Sequence, residues 1–587
     1  MLNCQLIIIL LVNDMLLLNP NNHNREYVDE DSKEIMVKTI KFFEERGKTL
    51  LLKDEFDRVW YQDFLDFIKK EKIFYKLLTP EKYGDGTTRW DTWRNCEFNE
   101  ILGFYGLQYW YTWQVSILGL GPIWISQNEK VKKQTAEYLK NGEIFAFGLS
   151  EKEHGADIYS SEMKLTQISE GNYTARGSKY YIGNGNQAAY VSIFGKSNPP
   201  TNPEDKKYGD YVFFVVNSQH EKYECVQNLV ATSSYVAEYN LNDYPITEDD
   251  ILAKGRNAWD MSLNTVNIGK FNLGWGSIGI CTHAFYESIN HASHRNLFDH
   301  YVTDFPHIRQ FFVDAYCRLT AMKLFALRGS DYMRTASPED RRYLLYDPMV
   351  KMKVTTQGEE VINLLWEIIA AKGFEKNTYF SLAARDIRAL PKLEGTVHVN
   401  MALIVKFMAN YFFKHAEYPY VEKQMDAKND DFLFNQGGTS GLSKIRFHDY
   451  SIVYKSKDLP NIKIFRKQIA MFKLMLMGAR PSKEQAKDFD FLFIMGELFT
   501  LVVYGQMIIE NAAIYKIEDD LLDQIFDFMI RDFSKFALQL YSKPQATTLQ
   551  RWFAKRMLKK PKVNVARFNK IWKEHVFKLK DLYTMKE

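Results

Sequence analysis

The stretch Arg385–Thr396 reads RDIRALPKLEGT and offers chemistry through one residue, Glu394. This carboxylate stands between Leu393 and Gly395, neither of which has a polar side chain to offer it. Pro391 and Gly395 break a helix on either side, so the glutamate is expected on a short connector. A carboxylate held among apolar neighbours loses solvation of its charged form, which moves its pKa towards that of a useful general base. Alone, a glutamate before a turn glycine is most often an ordinary exposed residue. The case for chemistry therefore rests on what accompanies it.

Other chemistries lack their sequence supports. The chain has no HExxH, no GxSxG and no Walker A loop, the usual carriers of zinc hydrolysis, serine-elbow hydrolysis and phosphate cradling. Gly274–Gly279, GWGSIG, matches GxGxxG but lies in a helical stretch with no strand before it. A dinucleotide fingerprint needs that strand, so the glycines are read as small residues that let helices pack closely. The five cysteines (Cys4, Cys96, Cys225, Cys281, Cys317) are scattered and form no CxxC pair. Reduced thiols in a cytoplasmic setting, and no metal site, are expected.

The elements that must position Glu394 are mostly helical. The chain has 587 residues, enough for about three or four domains, with 46% hydrophobic and 15% aromatic residues. A net charge of +3 implies no nucleic-acid partner. Apolar residues three and four apart predict helices over Ile35–Leu50 and Asp57–Phe74, punctuated later by Pro80 and Pro122. Leu107–Gly121 reads as a buried helix. From about Phe145 to Ile251 the apolar pattern shortens and alternates, with turn signals at Gly171-Asn172 and Asn198-Pro199-Pro200, so a β region is expected. Helical periodicity returns by Leu263 and runs to about Lys414, broken by a polar loop, Thr335–Asp347, and by the Pro391 connector. A looser segment, Glu417–Pro460, precedes a last helical block. Near the start, the run Leu6–Val12 is too short to span a bilayer and lacks the flanks of a signal peptide; Met15 is an alternative first residue.

Two further stretches complete a series in fixed order. GLSEKEHGAD (Gly148–Asp157) and GSKYYIGNG (Gly177–Gly185) flank the start of the β region, and Arg295, Arg385-Asp386 and Glu394-Gly395-Thr396 follow. Lys270 to Gly279 spans nine positions and Gly279 to Arg295 sixteen; Gly373 to Arg385 spans twelve and Arg385 to Glu394 nine. This series resembles the acyl-CoA dehydrogenase family over roughly 27–410. GLSEKEHGAD looks like that family's V-T-E-P-x-A-G-S-D, and GSKYYIGNG is similar to its G-x-K-x-W-I-T-N-G.

The resemblance implies an α+β multidomain fold. It comprises an N-terminal helical domain (27–142), a middle β-barrel domain (143–253), a C-terminal four-helix bundle carrying the base (254–414) and an extra helical domain (415–587). It implies FAD as cofactor, bound through Leu149, Ser150, Tyr181, Gly183, Arg295, Phe298, Glu367, Ala371, Thr396 and His398. Arg295 and Phe298 would match an R-x-x-F pair reaching the flavin of a second copy in a homodimer. Glu394 would be the catalytic base, with Ala156, Lys270, Leu393 and Gly395 beside the substrate. The implied reaction is α,β-dehydrogenation of an acyl-CoA thioester, as in fatty-acid β-oxidation. The acceptor would be an electron-transfer flavoprotein, or oxygen in an oxidase; a carrier-protein thioester is the alternative substrate, and a non-catalytic scaffold the alternative class.

The sequence departs from the family pattern at Tyr181 (tryptophan expected), Gly183 (threonine), Ala156 (serine), Lys270 (arginine), Pro306 (often glutamine) and Glu367-x-x-Ala370-Ala371 (Q-x-x-G-G). In the extension, Phe491–Ile509 has the length to span a membrane but contains Glu497, Tyr504 and Gln506, so a buried helix is expected. The tail Arg551–Glu587 holds 12 Lys and Arg against 3 Asp and Glu, a net +9 that leaves −6 for the rest. A basic tail with Trp552, Phe553 and Trp572 could lie on an anionic membrane surface, could equally attract an acidic carrier protein, and is most simply a solvated face.

Overall fold

The computed structural model describes residues 16–23 and 25–587. Cys4, the run Leu6–Val12 and Met15 lie outside the described residues. The chain divides into two compact units. One, mixed in structure, takes in 27–272, 425–440 and 585–587; the other, helical, takes in 273–424 and 441–584 together with the described residues up to Glu26.

The mixed unit opens with the helix Glu30–Arg46, whose N-cap Asp29 accepts from the Ser32 N–H at 2.8 Å. Ile35, Met36, Ile40 and Phe43 fall on one face and are buried, as their spacing predicts. Leu107–Ile125 is buried along almost its whole length. Pro122 lies inside this helix, where it forgoes the bond to Leu118 one turn before the helix ends at Ser126. Gly119 lets the helix press on the sheet: a Cβ there would stand 2.7 Å from the Ala146 backbone.

The β region is one sheet of eight strands: β1 Phe145–Gly148, β2 Lys164–Ser169, β3 Asn172–Gly183, β4 Tyr190–Asn198, β5 Tyr211–Val216, β6 Tyr223–Asn228, β7 Val236–Thr247 and β8 Ile251–Lys254. The order is β6-β7-β3-β2-β4-β5-β8, with β1 also on β4. β2 and β3 are joined at Gly171, whose φ of +72° suits the expected turn. The expected barrel is not formed, because the sheet stays open. β4 gives Tyr190–Ile193 to β1 and Lys196–Asn198 to β2, so the sheet forks at its centre. Its outer strands, β6 and β8, pair only with β7 and β5. β6 is exposed from Glu224 to Asn228 and carries the polar residues Glu224, Gln227 and Asn228, which suits an uncovered edge.

In the helical unit, the long helices Asn272–His294 and Pro306–Arg334 pack with a continuous run, Tyr343–Ile369. That run starts inside the expected polar loop, at Tyr343, and takes a π-helical turn over Val350–Val354, just past Pro348. GWGSIG lies within Asn272–His294, and a Cβ on Gly274 would stand 2.8 Å from the Val350 carbonyl oxygen. Its glycine serves close helix contact. Tyr379–Asp386 and Val397–Ile404 then flank the Glu394 connector.

The extension contributes Pro460–Gly478, Phe489–Ile514, Asp519–Ser542 and Thr548–Met557. Phe489–Ile514 is apolar and long enough to cross a membrane, yet it is buried among the other helices of this unit. Tyr411 donates to the side-chain oxygen Oε1 of Gln506, and the Gln506 side-chain amide donates to Glu510 at 2.7 Å. Burial raises the Glu497 carboxyl above its usual range. Charged pairs fix the extension to Pro306–Arg334. Arg318 grips Asp532 with two bonds of 2.8 and 2.9 Å, and Arg328 donates to Glu510 at 2.8 Å. Because Arg318 is buried, Asp532→Ala is expected to cost about 3–5 kcal/mol by leaving that charge unpaired. Urea denaturation checks this, and an unchanged midpoint would contradict it.

Candidate active site

The Glu394 connector is built by two helix ends. Tyr379–Asp386 unwinds through turns, and Lys392 and Leu393 both donate to the Ala389 carbonyl, at 2.9 and 3.1 Å. Leu390 is fully buried and Leu393 half-buried. Glu394 then adopts φ +52° and Gly395 φ +84°. A non-glycine residue in the left-handed region is uncommon, costs of order 1–3 kcal/mol and persists only where its surroundings impose it. Thr396 follows as N-cap of Val397–Ile404, its hydroxyl accepting from the Val399 N–H at 3.4 Å. The reversed backbone thus brings the half-buried carboxylate of Glu394 next to a helix N-terminus.

Two lysines tie the connector to the run Tyr343–Ile369. Lys351, fully buried on the π turn, donates to the Pro391 carbonyl at 2.7 Å and the Gly395 carbonyl at 2.5 Å. Lys392 pairs with Glu359 at 2.6 Å. Asn400 adds amide bonds to the carbonyls of Gly395 (3.1 Å) and Thr396 (3.0 Å). His398 is exposed, its ring 5.1 Å from that of Phe493 in the extension.

Elsewhere in this unit, Arg295 and Phe298 sit on a hairpin of β9 (Asn296–Leu297) and β10 (His300–Tyr301). Phe298 and Asp299 have φ of +55° and +61°, as a two-residue hairpin turn demands. This leaves Phe298 88% exposed at the tip. Glu367 and Ala371 are exposed at the end of Thr355–Ile369. Ala370 between them has φ +55° and ψ −137°, a glycine conformation held by an alanine.

In the mixed unit the two motif stretches meet. The Ser150 hydroxyl donates to the Tyr180 carbonyl at 2.6 Å, and the Tyr180 N–H donates back to the Ser150 carbonyl at 3.0 Å. This fixes Leu149 and Ser150 beside Tyr181, which is 63% exposed at φ +64°. Underneath lies a buried ion pair. Lys179 donates to Glu151 at 2.7 Å and to the Leu149 carbonyl at 3.0 Å. Burial alone would raise the Glu151 carboxyl, but Lys179, Ser161 and the Glu162 N–H hold it below 4.5. Gly183 is buried, and a Cβ there would stand 2.7 Å from the Tyr111 ring and 2.8 Å from Val115. Tyr111 therefore fills the space a threonine would need. Ala156 lies exposed on the following loop, and Lys270 is buried just past Arg256–Gly269.

Sequence reasoning missed Lys351, Asn400, Tyr111 and the Glu151–Lys179 pair. Glu151 and Lys179 lay inside the motif stretches, where Lys179 falls in phase with the buried positions Tyr173 and Ala175 of an alternating strand. Lys351 carried no signal beyond being a lysine in an apolar run.

Residues 257–409 match the acyl-CoA dehydrogenase C-terminal domain. The chain is 23% identical over 391 residues to subunit CarC of the caffeyl-CoA reductase–Etf complex of Acetobacterium woodii, covering 64% of this chain and 98% of that subunit. It is 21% identical over 295 residues to a 3-(aryl)acrylate reductase of Clostridium sporogenes, covering 49% of this chain and 75% of the relative. An acyl-CoA dehydrogenase from Bacillus anthracis, complexed with FAD, superposes with TM-score 0.71 at 17% identity. That match covers 96% of this chain and 97% of the other, a span that includes the extension. Residues 257–409 thus match that family's C-terminal domain, and the chain carries the acyl-CoA dehydrogenase fold with further helices after residue 409.

Glu151→Gln is expected to cost about 3–5 kcal/mol at neutral pH, because Lys179 is then buried without its counter-ion. The folded carboxyl lies below its ordinary 4.5, so its contribution is full above that pH and is lost as pH falls through the folded value. Urea midpoints should therefore converge for the two proteins at low pH; an equal gap at every pH would contradict the pairing.

Proposed function

We propose that this chain catalyses FAD-dependent α,β-dehydrogenation of an acyl-CoA thioester to the trans-2-enoyl product, with Glu394 taking the α-proton. The observation that carries the reading is the Glu394 connector: a half-buried carboxylate on imposed left-handed backbone, beside buried Leu390 and ahead of a helix N-terminus. An α-proton beside a thioester is a weak acid, so the base must be placed accurately and the developing negative charge stabilised.

The residues present fit FAD. Tyr181 offers an exposed aromatic plane next to the pinned Leu149-Ser150 backbone. The start of Val397–Ile404, capped by Thr396, suits a phosphate. When bound, FAD supplies the acceptor for the β-hydrogen, which leaves as hydride for flavin N5. Gly183 has no hydroxyl to offer a flavin, and its place beside Tyr111 excludes one.

Within the same proposal, the exposed Phe298 tip reaches a second copy in a homodimer, with 27–142, 143–253, 254–414 and 415–587 as the domains. An electron-transfer flavoprotein is the proposed acceptor, supported by the likeness to the CarC subunit of an Etf complex. Oxygen is the alternative, distinguished by peroxide release. Likeness to a prolyl acyl carrier protein oxidase, with TM-score 0.53 at 19% identity, favours carrier-bound acyl groups as a second substrate reading. The protein is proposed to be cytoplasmic, with its basic tail on an anionic membrane surface through exposed Trp552, since Trp572 is buried and cannot take part.

Glu394→Gln is expected to purify with flavin bound, showing the band near ~450 nm, and to show no bleaching when acyl-CoA is added without oxygen. Bleaching at the unsubstituted rate would contradict the assignment.

A further inference from the structure

Glu394 does not hold its own conformation. Its φ of +52° and the +84° of Gly395 reverse the chain over two residues, and no regular ladder stabilises such a turn. What brackets the reversal is a cation. The Lys351 side chain is fully buried, and its ammonium donates to Pro391 O and Gly395 O, on either side of the base. Burying an ammonium is costly unless its donors are satisfied, and here two of them are spent on connector carbonyls. The π turn Val350–Val354 that carries Lys351 inserts one extra residue per turn. That insertion sits where Val350 abuts Gly274. The backbone distortion, the buried charge and the catalytic connector therefore fall at one place in the helical unit.

We propose that Lys351 is the positioning residue for the base: its ammonium clamps the connector at Pro391 and Gly395 and so fixes the direction of the Glu394 carboxylate. Asn400 supports the same carbonyl of Gly395 from the opposite helix, at 3.1 Å. The surface pair Lys392–Glu359 is exposed on the lysine side and adds little. Charge-assisted bonds to two carbonyls make the Lys351 clamp the stronger tie. The proposal rests on Glu394 being the base, so its test separates the two.

The test uses the full chain with FAD and compares Lys351→Met with Lys351→Gln. Hydrogen exchange reads the clamp without reference to activity. The Lys392 and Leu393 amides, which donate to Ala389, should lose protection by about tenfold or more in Lys351→Met, while Val397–Ile404 keeps its own. Rapid-mixing absorbance reads the chemistry. With acyl-CoA, flavin bleaching should slow by about 10²-fold, the scale of a misplacement near 1 Å, with the substrate's apparent dissociation constant and the flavin content unchanged. Lys351→Gln, which keeps a donor for one carbonyl, should fall between. If Lys351→Met does not fold, Lys351→Gln decides by the same two readings. Wild-type exchange together with wild-type bleaching in the folded variant overturns the proposal. Faster exchange with unaltered bleaching also overturns it, since the clamp would then not aim the base. If the unsubstituted protein never bleaches while exchange still responds to Lys351, the dehydrogenase reading fails and the clamp stands as structure only.

Discussion

A carboxylate that must take a proton from carbon has to be partly withdrawn from water and aimed, and a regular helix can do neither at its own end. Under the proposed reading, the chain meets this constraint at Glu394 and Gly395, where its backbone reverses at φ +52° and +84°. Everything around the reversal follows from having to hold it. The preceding turns run past Pro391 to Leu393, Thr396 caps the next helix, and Leu390 is buried beside them. Lys351 holds both flanking carbonyls.

The mixed unit solves a similar problem with the same device. Past the end of β1, Leu149 and Ser150 leave the sheet ladder, and their carbonyls accept from Lys179 and from the Tyr180 N–H instead. Lys179 is buried beneath them, one bond to the Leu149 carbonyl and one to Glu151. In both units a buried ammonium replaces the missing regular hydrogen bonds. A buried cation is a poor source of stability but a strict one of geometry, since losing its partner leaves a charge with no water. The extension is fixed by the same means, through Arg318–Asp532 and Arg328–Glu510.

The sequence was most legible where spacing alone dictates structure. The buried character of Leu107–Ile125 and Phe489–Ile514, the helical setting of GWGSIG and the connector around Pro391 all follow from periodicity and helix breakers. Closure of the β region was not legible, because alternation marks strands and says nothing of whether the outer ones meet. Lys351 was invisible for a different reason. Its role depends on carbonyls some forty positions later, and a lysine in an apolar run looks the same whether it snorkels or clamps. Gly183 showed as a departure, yet only the structure supplies its complement, the Tyr111 ring standing where a side chain would go.

The absorbance spectrum of the purified full chain, taken after incubation with FAD and desalting, tests the flavoprotein reading most directly. A band near ~450 nm at roughly one flavin per chain is predicted. A colourless protein that cannot be reconstituted would contradict it, leaving a scaffold that has kept the fold without the redox chemistry.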